Sequence, residues 1–304
     1  MLHARAFKVT VVWTLLLLYL GSVVHATESS LACPDWPTCF GTMLPEMSGG
    51  VFWEHLHRLV AGGLVLMFGL ATWLAYRETG DRPWIFRACL AGIVLLIVQS
   101  VFGGLTVLYR LPDLVSTTHL ALAFMSLGLA TFLASSTTRS VDAGSLTTRT
   151  SRAVRSWGSA AAGLVFAQSV LGALVRHMDA GMACPDAPLC LGRVVAPMVN
   201  APITIHFLHR VLALIVTLVV LGFALRVYRT DTSAQIRRWT KFAAGLVVAQ
   251  VALGFASVLT VLAVIPVSLH TLVAAALLSV LIHVATLAHR APRLASEPAA
   301  LSAV

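Results

Sequence analysis

Long apolar runs separated by short polar connections dominate the chain. Stretches free of Asp, Glu, Lys and Arg lie at about 9–26, 59–76, 88–109, 114–138, 156–175, 211–225 and 242–289. A membrane-crossing helix needs roughly 20 apolar residues. The last stretch, 48 residues interrupted by Pro266, therefore reads as two helices joined by a tight turn, and the pattern predicts eight crossings. The run starting near Ile205 reaches full length only if His206, His209 and Arg210 occupy its first turns. Polar residues at that depth need a reason.

Composition agrees: 58% of the residues are apolar and 11% charged, against roughly a quarter charged in soluble domains. The formal charge of +9 does not point to nucleic acid, because the basic residues are sorted by side. With the N-terminus in the cytoplasm, 16 of the 21 Lys and Arg fall on the cytoplasmic side and seven of the twelve acids fall outside, as the positive-inside rule requires. Both termini are thus expected in the cytoplasm of a multi-pass protein of the cell membrane, with the lipid bilayer as the partner that the charge reports.

Residues 21–41 and 172–192 match at nine of 21 positions at a constant offset of 151. Gln99 and Gly103 pair with Gln250 and Gly254, and His119 with His270, at the same offset. One residue more aligns Glu54-His55-Leu56-His57-Arg58 with His206-Phe207-Leu208-His209-Arg210. The first run ends in a motif like a signal-peptide cleavage site at Val24-His25-Ala26, but its match to the fifth run makes it a retained helix. The expected fold class is an all-α polytopic membrane protein with eight transmembrane helices in two tandem, pseudo-symmetric four-helix bundles. The units are 1–140 and 156–304, joined by a cytoplasmic linker over 141–155. A third Gln-x-x-x-Gly, Gln168 with Gly172, suggests a weaker helix-pair repeat inside each unit. Small residues repeated in this way also mean close helix packing.

Four histidines carry the candidate chemistry. His57 and His119 lie near the outer ends of helices two and four, and His209 and His270 repeat them on helices six and eight. Ionisable residues within a span are costly and are candidates for function, and imidazole is a common axial ligand of haem iron. Zinc fits less well, since a tetrahedral site wants three or four protein ligands and each unit offers two matched ones. Two imidazoles on opposite faces of a flat macrocycle fit between four helices. His55 and His206 neighbour these sites, while His3, His25, His177, His283 and His289 read as interfacial or structural.

Each unit also carries a C-P-D-x-P-x-C loop before its histidine helix, with Cys33 and Cys39 in the first and Cys184 and Cys190 in the second. Two prolines restrict the chain between the thiols, and an extracytoplasmic loop sits in an oxidising compartment. One disulfide per loop is expected, with its use as a staple or as an electron carrier left open. Cys89 is left as a free thiol.

Taken in order, CPDWPTCFG, Glu54-x-x-His57-Arg58, Gln99-x-x-x-Gly103, His119, and the second copy through CPDAPLCLG, His209-Arg210 and His270 resemble the haem A synthase family over nearly the whole chain. The resemblance implies oxidation of a ring methyl of haem O to the formyl group of haem A, for terminal oxidase biogenesis. It implies that His57 and His119 face the substrate or product iron, that His209 and His270 ligate a permanent haem B, and that Glu54 is the essential acid. Arg58 and Arg210 are the accompanying cofactor-binding candidates. Haem O synthase and terminal oxidase assembly factors are the implied protein partners, the electron-transfer partner is unspecified, and a homo-oligomer is left open. His25 departs from the family pattern, which has Arg at that position and at Arg176.

The residues themselves support a division of labour. Glu54 lies three positions before His57, hence on the same helix face, and its counterpart is His206. Only the first unit can place this carboxylate beside a macrocycle; without the resemblance, Glu54 reads as an acid favoured at a helix N-terminus. Two other classes remain: a di-haem b-type electron-transfer protein, disfavoured because both sites fall at one depth, and a non-catalytic haem-delivery protein.

Overall fold

The computed structural model describes residues 1–80, 82–137, 152–230 and 232–290. Eight helices long and apolar enough to cross a membrane make up almost all of it. They are α1 (Leu2–Ala26), α2 (Gly49–Glu78), α3 (Pro83–Leu108), α4 (Asp113–Thr137), α5 (Arg152–His177), α6 (Ala201–Tyr228), α7 (Ala234–Leu259) and α8 (Val264–Arg290). Helices suit these segments because lipid offers no partner for a backbone N–H or C=O, and an α-helix pairs both within itself. Of the expected linker over 141–155, residues 141–151 lie outside the described residues, and 152–155 already belong to α5.

The break near Pro266 falls elsewhere than the sequence places it. The turn between α7 and α8 spans 260–263, with Val261 and Leu262 at φ 51° and 61°. Pro266 sits in the first turn of α8, where its missing N–H has no intrahelical partner to lose. The turn between α3 and α4 repeats this geometry at Arg110 and Leu111, φ 57° and 60°.

α1 packs on α2 and α4, and α3 on α4 and α2; α5 packs on α6 and α8, and α7 on α8 and α6. Across the middle, α1 meets α8 and α4 meets both α5 and α8. The central helices α1, α4, α5 and α8 are stitched by polar pairs between the two halves: Ser22 with Thr271 (3.1 Å), Thr131 with Ser279 (2.8 Å), Ser135 with His283 (2.8 Å) and Thr117 with His177 (3.2 Å). Such pairs hold helices together where the solvent is as apolar as leucine. Outward-facing Leu66, Leu214, Leu218 and Leu225 are exposed, as lipid contact permits.

Candidate functional site

The ends of the helices that carry the four histidines all lie on the side of the two disulfide loops. Cys33–Cys39 and Cys184–Cys190 are bonded within their own loops, with Cα–Cα distances of 4.8 and 4.7 Å. Cys89 is buried and free. His55 brings a ring nitrogen within 4.8 Å of the sulfurs of Cys33 and Cys39, but those sulfurs are spent on each other. The matching residue, Phe207, packs against Cys184 and Cys190.

A surface aspartate, not among the candidate residues, staples each loop. The Asp35 carboxylate accepts from the Thr38 hydroxyl and from the amides of Phe40 (2.6 Å) and Gly41 (2.9 Å). Its pKa is held below the ordinary carboxylate value by the Thr38 hydroxyl first and then by those amides. Asp186 accepts from the amide of Gly192 in the same way (2.6 Å). Gly41 and Gly192 sit at φ 72° and 71°, a conformation that glycine adopts without strain. The C-P-D-x-P-x-C-x-G spelling carried this signal: an Asp followed by a Gly that must turn left-handed.

Arg58 and Arg210 fasten the loops to the helices. One Arg58 nitrogen donates to the carbonyls of Asp35 (2.7 Å) and Thr38 and the other to Glu54 Oε1 (2.6 Å), while Glu54 Oε2 accepts the Cys33 amide (2.8 Å). Arg210 donates to the carbonyls of Asp186 (2.6 Å), Leu189 and Cys184, and through Nε to His206 Nε2 (3.1 Å); His206 Nδ1 bonds the Ala180 carbonyl (2.8 Å). Both cofactor-binding candidates are therefore engaged with loop backbone. Glu54 and His206 are each buried beside their arginine.

Each of the four histidines lies against a glycine of the preceding helix. A Cβ added to Gly21 would meet His57 Cε1 at 3.1 Å, one on Gly103 would meet His119 at 2.9 Å, one on Gly172 His209 at 2.9 Å, and one on Gly254 His270 at 3.2 Å. The Gln-x-x-x-Gly pattern exposes three of these contacts in the sequence. Gly21 escapes it because Leu17 stands in the glutamine position. The helix pair is thus the repeated local unit: a glycine on the odd helix and a histidine on the even one.

The rings of each pair, His57 with His119 and His209 with His270, lie within electrostatic reach of each other. His119 Nδ1 donates to the Gln99 carbonyl (3.0 Å), which leaves Nε2 as the nitrogen that could ligate a metal. Gln168 and Gln250 amides approach His209 Nδ1 (3.0 Å) and His270 Nε2 (3.1 Å). His57 Nδ1, His270 Nδ1 and the side-chain oxygens of Gln99, Gln168 and Gln250 are buried without a partner. In each half, two glycine-backed imidazoles, one of them with a buried unpartnered nitrogen, could hold a flat iron macrocycle.

The other histidines tie helices together. His3 bonds Glu78 (2.6 Å), His283 bonds Ser135, and His289 bonds Ser159 (3.0 Å). His25 lies against His177, with 5.3 Å between ring centres and the rings tilted by 42°, so the two halves meet there through imidazoles.

The profile of the cytochrome oxidase assembly protein family (COX15-CtaA) matches residues 46–282. Among curated relatives, the chain is similar to a protein named "Heme A synthase" from Halalkalibacterium halodurans, 28% identical over 288 residues that cover 92% of this chain and 95% of the relative. Proteins of the same name from Shewanella oneidensis and Symbiobacterium thermophilum are 28% and 29% identical, covering 83% and 89% of this chain and 86% and 90% of their own.

Proposed function

The chain belongs to the cytochrome oxidase assembly protein family, and from that premise we propose that it is a haem A synthase. In this reading it is a membrane oxidoreductase that converts a ring methyl of haem O into the formyl group of haem A by two hydroxylations and loss of water. The observation that carries the reading is a difference between like sites. Both halves hold a glycine-backed histidine pair, and only the first adds a carboxylate, Glu54, one helical turn from its ligand histidine.

In this assignment residues 1–140 form the substrate unit, with His57 and His119 on either side of the haem O iron. Residues 156–304 form the resident unit, with His209 and His270 holding haem B. Bound haem B supplies one-electron redox chemistry. His57 and His119 orient the substrate, and the glycine walls at Gly21 and Gly103 fix the imidazole planes. Glu54 is anchored by Arg58 and the Cys33 amide, yet a carboxylate has about four acceptor positions and is left with at least one. It can therefore orient a water at the reacting carbon, take its proton, or balance positive charge there. Arg58 positions Glu54 and the loop that closes over the site. The disulfide loops face outward and both termini are cytoplasmic, as the charge distribution suggests.

Haem extraction and chromatography from cells supplied with haem O tests the proposal. Haem A together with haem B in the purified protein is the expected result. Haem B alone, with haem O untouched, would favour a carrier or an electron-transfer cytochrome.

A further inference from the structure

The two disulfide loops differ in what lies beside their sulfurs. In the first half a ring nitrogen of His55 and the sulfurs of Cys33 and Cys39 all fall within 4.8 Å of one another. Among the described residues this is the one cluster of three side chains of metal-ligand type so spaced. In the second half the ring of Phe207 takes that place against Cys184 and Cys190. The loop is therefore buildable over an apolar ring, and its fold does not call for a nitrogen there.

The state of the His55 ring points to a ligand. The residue is 2% exposed. Its Nε2 lies 3.0 Å from the Met43 carbonyl; a carbonyl only accepts, so the ring proton sits on Nε2 and the lone pair on Nδ1. Nδ1 is buried without a partner, a condition that native folds rarely leave unexplained. A carbonyl on one ring nitrogen, with the other nitrogen free, is the arrangement that orients a metal-binding imidazole. A disulfide is a poor donor, so an ion can enter only when the S–S bond is open. The loop does not rely on that bond alone for its shape. Asp35 holds Thr38, Phe40 and Gly41, Arg58 holds two loop carbonyls, and Cys39 and Thr42 exchange backbone hydrogen bonds of 3.0 and 3.2 Å. With the Cα atoms 4.8 Å apart, the two thiolates can meet on one ion, since metal–sulfur bonds of roughly 2.3 Å let them part by up to about 4.6 Å.

We propose that the first loop, with its disulfide opened, is a Cu(I) site made by the thiolates of Cys33 and Cys39 and by Nδ1 of His55. Thiolates are soft donors and select soft ions. Zinc would want a fourth ligand, and among the described residues no other His, Cys, Asp or Glu joins the cluster; Cu(I) is content with fewer. Opening takes two electrons and two protons from an external dithiol, which leaves as a disulfide, and yields two thiols. Binding then exchanges the two S–H protons for two S–Cu bonds, with copper staying at +1. Disulfide and metal exclude each other, and the second loop, lacking the nitrogen, is the weaker site. The inference stands apart from what the histidine pairs hold.

The test uses the full chain in lipid nanodiscs, in two backgrounds that keep one loop each: Cys184→Ser/Cys190→Ser for the first loop and Cys33→Ser/Cys39→Ser for the second. Each is reduced with a water-soluble phosphine, freed of it without oxygen, and titrated with Cu(I) against a coloured Cu(I) chelator. Copper bound by unreduced protein belongs elsewhere and is subtracted. The first loop should take up one equivalent, at least about ten-fold more tightly than the second, a factor that even an outer partner of a metal ligand can carry. His55→Phe should bring it down to the level of the second loop, and Phe207→His should raise the second toward the first. On the reduced parent given one equivalent of Cu(I), copper-edge X-ray absorption should show two sulfurs and one nitrogen, a measurement that needs no substitution to fold. Equal affinities in the two loops, binding unmoved by His55→Phe, or a spectrum with sulfur alone would overturn the proposal, as would zinc retained in preference to Cu(I).

Discussion

The first half clamps its disulfide loop with an ion pair, Arg58 on Glu54 at 2.6 Å, and the second half clamps its loop with an arginine on a neutral ring, Arg210 on His206. In both, the guanidinium reaches the carbonyls two residues after the first cysteine and one before the second. The clamp is therefore buildable without a carboxylate, and this chain builds it that way once. A buried carboxylate costs free energy unless it is paired, so keeping one in the first half alone calls for an explanation other than loop closure. Proton handling at a reacting carbon is such an explanation.

The largest expected effect comes from the ligands. His209→Ala or His270→Ala should abolish the haem B signal of the purified protein, because an axial bond to iron is lost, whereas His57→Ala should empty the first half and leave haem B in place. Absorption spectra of the variants decide this; haem B lost equally from all three would erase the proposed division between halves.

Next comes Glu54. Glu54→Gln keeps an oxygen for the Cys33 amide and removes the base, so haem A formation should fall by about 10²–10⁴-fold, with haem B retained and haem O or a hydroxylated product accumulating. Turnover near the parental rate would return Glu54 to the role of loop clamp, as His206 is. The converse substitution, His206→Glu, should leave the second half without new activity.

Opening either disulfide should cost roughly 2 kcal/mol, the entropy of a short ring, and by similar amounts in the two halves. Thermal unfolding of Cys33→Ser/Cys39→Ser and Cys184→Ser/Cys190→Ser measures it. Equal stability losses with unequal losses of haem A would assign the first pair a role beyond stapling, where His55 replaces the Phe207 ring beside the sulfurs.

Gly21→Ala should push the His57 ring and destabilise by about 1 kcal/mol or more. Gly62→Ala on the same bundle, with nothing within 4 Å of the new methyl, should instead stabilise by up to about 1 kcal/mol through helix propensity. The smallest effect is a pH effect on the first loop. The Asp35 pKa is lowered on folding, so its contribution is complete above the ordinary carboxylate pKa and is lost as pH falls through the lowered value. Exchange of the Phe40 and Gly41 amides should quicken over that acidic range and not above it.

The eight helices, the duplicated histidines and the loop cysteines were legible in the sequence, because each is a local property: run length, spacing along one helix, or two thiols held six residues apart by prolines. Even the helix-pair repeat could be read from Gln-x-x-x-Gly, save at Gly21. Pro266 misled only about where α8 begins, since proline suits a first turn as well as a break. What faces what was decided by the tertiary structure. The arginine clamps and the His25–His177 contact across the halves both depend on which side of each helix meets its neighbour. In a soluble protein the apolar stripe of a helix announces that side. Here lipid and core are equally apolar, hydropathy is nearly uniform around each helix, and the facing residues are fixed by small side chains, hydroxyl pairs and packing between helices far apart in the chain.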